Sequence, residues 1–162
     1  MFSRILEIVE KFCFGLSKFA LFAIMVCTSI DVLALKIFNL AIPSVYEFTE
    51  EYLMVALVYL SLSMIMVMGG HIRVTLFLHW IPKAVRPVLD RVLMFGGLVL
   101  FGSIAFLGWE TAMQAFEFAE TSNSYLAYPL GPSYLLIPIG AGLMSIRILQ
   151  KMIFPKIFGE EE

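Results

Sequence analysis

Three stretches of the chain carry no charged residue: Tyr52 to Gly70, Val92 to Trp109 and Thr121 to Ile146. A fourth runs from Phe19 to Ile30 and continues past one charge, Asp31, to Leu35. A helix rises about 1.5 Å per residue and the hydrocarbon core of a bilayer is about 30 Å thick, so roughly 20 apolar residues cross it. The pattern therefore predicts an all-α integral membrane protein, a single domain over residues 1–162, with four transmembrane helices at about 14–35, 50–70, 90–109 and 133–150. Pro129 and Pro132 disfavour helix at the start of the last window, which sets its span from Ser133 onward. Pro138 falls early in that span, where any kink leaves neighbouring helices to satisfy a freed carbonyl.

Ahead of the first span, Phe2, Ile5, Leu6, Val9 and Phe12 recur at helical spacing, and Arg4, Glu7, Glu10 and Lys11 take the positions between. Two arrangements fit this pattern: an N-terminal amphipathic helix lying in the interface, or a plain extension of span one into the headgroups. An arginine before an apolar run is also how a signal peptide begins. Here Glu7 and Glu10 interrupt that region and no A-x-A-like cleavage site follows, so the segment is expected to be retained.

Composition agrees with the pattern. The 162 residues are 60% hydrophobic and 15% charged, against roughly 25% charged in a soluble domain, and the mean hydropathy is +0.91. The formal charge of −2 and the lack of a basic patch interleaved with aromatics argue against nucleic-acid binding. Of the 11 basic residues, Arg4, Lys11, Lys18, Arg73, Lys83, Arg86, Arg91, Arg147, Lys151 and Lys156 all fall on one side of the expected spans, leaving Lys36 on the other. The positive-inside rule then puts both termini in the cytoplasm. The opposite side is acidic, with Glu47, Glu50 and Glu51 at one loop and Glu110, Glu117 and Glu120 at the next. Tyr46, Tyr52, Trp109, Tyr125, Tyr128 and Tyr134 gather near that boundary, as interfacial anchors do.

Candidate chemistry is sparse. Spans two to four read as free of ionisable residues through their cores, where ion sites and relays usually leave one. Asp31 is the exception, near the end of span one; it reads either as a cation or proton site or as an interfacial residue paired with Lys36 or a partner helix. His71 and His79 have no cysteine or carboxylate nearby in their loop to complete a metal set, and Cys13 and Cys27 form no CxxC, so neither a metal nor a disulfide is expected. Ser61 and Ser63 read as small residues for helix contact, and no nucleophilic triad can be assembled, so the chain is expected not to be an enzyme and to hold no cofactor. Gly96, Gly97, Gly102 and Gly108 in span three, and Gly140, Ala141, Gly142 and Ser145 in span four, are expected packing faces.

The segment EFTEEYLMVALVYLSLSMIMVMGGHIRVTLFLHWIPKAVRPVLD, from Glu47 to Asp90, is specific. An acidic pair, Glu50 and Glu51, opens span two; Gly70, His71, Ile72, Arg73 and Val74 form a Gly-His-(Ile/Val)-x-Val motif after it; Pro82 and Arg86 precede span three. In order and spacing these resemble the small membrane subunit of tripartite ATP-independent periplasmic (TRAP) transporters, the DctQ-like family. Two positions depart from the family pattern: Thr75 where an acid often stands, and Lys36 where an arginine does.

The resemblance implies a scaffold subunit of the bacterial inner membrane. Its partners would be a large membrane subunit, which moves an organic anion with a sodium gradient, and a periplasmic binding protein that delivers it. Sodium is then expected on the large subunit and not on this chain. Glu50, Glu51, His71, Arg73, Pro82 and Arg86 become candidate subunit-interface or interfacial-anchoring residues, with the acids at the positive dipole end of span two and His71 and Arg73 at its negative end. The alternative is a small four-helix homodimeric exporter coupled to protons or cations through an acid of span one. A quinone-linked membrane enzyme ranks below both, for want of cysteine pairs.

Overall fold

The computed structural model describes residues 2–39, 42–67 and 86–153. It is built of helices: α1 (Phe2–Phe38), α2 (Val45–Phe48), a π-helical stretch (Thr49–Met54), α3 (Val55–Val67), α4 (Arg86–Glu117) and α5 (Gly131–Ile153). Segment α2, the π-helical stretch and α3 run on as one rod, and the described residues contain four helices long and apolar enough to cross a membrane: Leu6–Phe38, Val45–Met66, Arg91–Glu117 and Gly131–Ile153. The four-span all-α architecture expected from the charge-free windows is therefore present.

The helices run longer than the windows. At about 1.5 Å per residue, the 37 residues of α1 extend roughly 55 Å, well beyond the ~30 Å hydrocarbon core. Residues 2–12 are thus continuous with span one and not a separate element. Likewise α4 passes Trp109 and ends at Glu117, so Glu110 and Glu117 are helical instead of lying in a loop. Ala119 stops it in a left-handed conformation (φ 47°), and the amides of Phe118 and Glu120 reach back to the carbonyls of Gln114 and Ala115, both at 2.9 Å.

The extensive contacts run in a series: α1 on span two, span two on α5, α5 on α4. Burial follows the same order. The most apolar windows of α1 and α4 have no fully buried position, whereas those of span two and α5 are 22% and 33% buried. The middle pair therefore forms the centre and α1 and α4 the flanks. One core cluster joins Cys13 and Ala20 of α1 to Ala56 and Leu60 of α3, and the other joins Met66 of α3 to Met144 and Ile148 of α5, with Met94, Leu98 and Phe101 of α4 against it. Small residues set the spacing at the centre. A side chain on Gly140 would meet the Tyr59 carbonyl, its Cβ lying 2.5 Å from the carbonyl carbon, so the two backbones touch at this point.

Polarity is reversed from that of a soluble bundle, as a lipid solvent requires. Phe12, Phe22, Phe106 and Phe118 are exposed. The inward seam of α1 is Leu6, Glu10, Cys13, Ser17 and Ala20, at steps of four and three. This corrects the sequence reading of the first turns, which put Glu10 with Arg4, Glu7 and Lys11 on a polar outer face. Ile8, Val9 and Phe12 face outward, and Glu10 points inward at 2% exposure. An apolar side chain can face lipid tails at no cost, while a carboxylate at that depth needs a partner.

Candidate interaction and bracing sites

Two polar clusters occupy opposite ends of the bundle. The first lies where residues 42–44 meet the 118–130 connection. Phe48 and Tyr52, on successive turns of span two, stack at 5.3 Å, and Tyr128 meets them edge-on at 5.7 and 5.5 Å. The Tyr128 hydroxyl donates to Glu51 Oε2 at 2.7 Å, and the Tyr52 hydroxyl donates to the Pro129 carbonyl. Ser133 Oγ of α5 donates to the carbonyl of Glu51, within the π-helical stretch, and so ties the start of α5 to span two. The 118–130 connection is folded on itself as well. Thr121 and Pro129 form an isolated antiparallel bridge, flanked by Ser122 N–H to Tyr128 O at 2.8 Å and Leu130 N–H to Glu120 O at 2.9 Å. Ser44 Oγ accepts the Leu126 amide at 3.2 Å, tying the two connections together.

Burial pushes the Tyr128 phenol above its ordinary pKa, and the Glu51 carboxylate adds to the rise. The phenol is then a donor throughout the neutral range, as its bond to Glu51 requires. Asp31 belongs to the same end. Its Oδ1 accepts the Ile42 amide at 2.9 Å, so it fastens the end of α1 to the chain that leads into span two.

The second cluster is ionic. Arg147 of α5 donates through Nε to Glu10 Oε1 at 2.6 Å and through Nη2 to Oε2, a two-point pair between side chains 3% and 1% exposed. Ser63 of α3 donates to the same Oε1, and Arg147 Nη1 donates to Gln150 at 3.0 Å. Spacing alone did not show this site. Arg147 read as a basic residue at the end of span four, yet it lies six residues inside α5 and fully within the packing.

The residues singled out from the sequence divide. Glu50 is exposed and Glu51 is half-buried and engaged by Tyr128. Arg86 is the first residue of α4. His71, Arg73 and Pro82 lie outside the described residues. The small-residue faces divide too: Gly97, Gly108 and Gly140 meet neighbouring spans, whereas Gly96, Gly102 and Gly142 face open space. Among the described residues no three His, Cys, Asp or Glu side chains converge. The open groove on α4, lined by Leu98, Val99, Gly102, Ser103, Phe106 and Leu107, is apolar apart from one hydroxyl.

Span two and α5 run side by side in the same direction, Glu51 beside Ser133, Tyr59 beside Gly140 and Met66 beside Met144, and the set of apolar helices is tied by a polar cluster at each end. Residues 24–154 match the family model described as tripartite ATP-independent periplasmic transporters, DctQ component. The chain belongs to the DctQ family. That is a family of transporter components and not of enzymes. The match takes in Glu51, Tyr128, Ser133 and Arg147 and begins after Glu10. Comparison with curated proteins gives no match.

Proposed function

We propose that this DctQ-family chain is the bracing subunit of its transporter: it packs beside a large membrane subunit that carries out sodium-driven uptake of an organic anion supplied by a periplasmic binding protein. The supporting observation is that the two buried charges among the described residues, Glu10 and Arg147, neutralise each other inside the bundle. A permeating anion or sodium ion needs polar partners with coordination to spare, because an isolated charge in low dielectric is very costly. A matched pair offers neither sign, while exposed apolar faces on α1 and α4 suit contact with another membrane protein. In this reading the chain sits in the bacterial inner membrane with both termini cytoplasmic, as the ten-to-one division of basic residues requires. The acidic end that carries Glu47, Glu50 and Glu120 then faces the binding protein.

Reconstitution tests it. Proteoliposomes holding this chain alone should take up no organic acid on a sodium gradient, and adding the large subunit with loaded binding protein should produce uptake. The chain should co-purify with the large subunit in mild detergent at one-to-one stoichiometry. Sodium-driven uptake by this chain alone would refute the assignment.

A further inference from the structure

We propose that Glu10, Ser63 and Arg147 form an ionic lock that fixes the position of α1 along the bundle. Glu10 and Arg147 stand 137 residues apart, and with Ser63 they draw on spans one, two and four, so the cluster closes only when all three are in place. Local sequence cannot form it.

The need for a lock follows from what else holds α1, which among the described residues is packing and, at its far end, the one bond that Asp31 accepts from the Ile42 amide. Its buried seam consists mainly of small side chains, Cys13, Ser17 and Ala20, and its most apolar window contains no buried position. Small residues permit close approach but interlock weakly, and in lipid no hydrophobic force opposes sliding, since the tails solvate Phe12 or Phe22 equally well at either position. The seam repeats Leu6, Glu10, Cys13, Ser17, Ala20, so a displacement by one turn, about 5.4 Å, would set one small residue where another had been. That slip changes little in the packing. It changes everything for Glu10, which would lose the two-point pairing to Arg147 and the hydroxyl of Ser63 while remaining buried, and would leave Arg147 with its Glu10 contacts gone. The register of α1 is thus encoded by charge where shape leaves it undetermined, which is the use of buried polar groups best attested in helical assemblies.

The test uses the full chain in nanodiscs and in detergent, in four forms: native, Glu10→Gln, Arg147→Gln and the double substitution. In reversible unfolding by a denaturing detergent, each single variant should raise the unfolding equilibrium constant by roughly tenfold or more, since it breaks a buried ion pair from one side. The double variant should lie closer to native than either single. A structural pair of any kind would give that result, so a second measurement isolates the lock. Spin labels replace exposed Phe12 and exposed Leu149 in a background where Cys13 and Cys27 are serine. The native chain should show one narrow distance distribution. The double variant, stable but without the lock, should show a broadened or multiple distribution. An equally narrow distribution in the double variant would overturn the proposal, as would single substitutions that multiply independently in the double. Should the singles fail to accumulate, the exchanged pair Glu10→Arg with Arg147→Glu must restore a folded chain with a narrow distribution, and its failure would also overturn it.

Discussion

Gly140 offers the sharpest prediction about packing. A Cβ at this position would press on the Tyr59 carbonyl oxygen and lie 2.5 Å from its carbon and 2.7 Å from its Cβ. The obstacle is backbone, which cannot turn aside as a rotamer can, and ordinary contact would require span two and α5 to separate by about 1 Å. Overpacking of this kind costs about 3 kcal/mol, against which replacing glycine by alanine inside a helix returns about 1 kcal/mol. The net is about 2 kcal/mol of destabilisation for Gly140→Ala. Gly142, on the same helix two residues on, has nothing within 4 Å of an added Cβ, so Gly142→Ala keeps only the favourable term of about 1 kcal/mol. For a chain of this length about 2–4 °C of melting temperature accompanies each kcal/mol. Gly140→Ala should therefore melt roughly 4–8 °C below the native protein and Gly142→Ala slightly above it, measured by tryptophan fluorescence in detergent. Equal melting temperatures for the two variants would refute the close approach of span two and α5.

The cluster around Glu51 yields further expectations. Tyr128→Phe keeps the ring contacts and removes the donor to Glu51, which should cost about 1 kcal/mol and raise the rate at which proteases cut the 118–130 connection. The pH dependence has a definite sign: the folded phenol titrates above the unfolded value of 10.0, so its contribution is complete below pH 10 and is lost as pH rises through the higher folded value. Proteolysis of the connection should accelerate above pH 10 in the native chain and show a smaller step in Tyr128→Phe, where the Tyr52 hydroxyl still donates to the Pro129 carbonyl. Reporter fusions should place both termini and residues 71–91 in the cytoplasm and residues 118–130 outside, and a cytoplasmic 118–130 connection would overturn the orientation.

The four spans were legible because crossing a membrane demands length and apolarity, both of which a linear scan measures directly. The length of the helices was less so. Windows defined by the absence of charge end at Glu110, whereas α4 continues to Glu117, because an acid at a helix end beyond the hydrocarbon breaks no hydrogen bond in the ladder. The acidic pair of the family motif was visible as a pair, but its two members differ in role. One residue's rotation along the rod leaves Glu50 exposed and turns Glu51 toward Tyr128, and the π-helical stretch that carries them has no sequence signature of its own. Tyr128 itself read as an interfacial anchor. Its bond to Glu51 spans 77 residues and depends on the fold of the 118–130 connection, which alternation and periodicity do not encode.

The ionic pair was the largest omission, and its physical origin bears on function. Charges near span ends were assigned to the headgroups, where most of them belong, and nothing in the spacing of Glu10 or Arg147 separates them from Glu7 or Lys151. Only the fold brings the two together. Their pairing also weighs on the exporter alternative, which needs an acid of span one free to exchange a cation or proton. Glu10 is the buried acid of that span, and both its oxygens are occupied, one by Arg147 Nε and Ser63 Oγ and the other by Arg147 Nη2. Displacing a guanidinium held at two points in low dielectric is far costlier than displacing water, so a cation cannot compete for this carboxylate without first separating α1 from α5. Asp31, the acid that sequence singled out, is likewise engaged, by the Ile42 amide. Glu10 and Asp31 of span one thus hold the protein's own segments in place, the one inside the bundle and the other at its end, as the proposed bracing role requires.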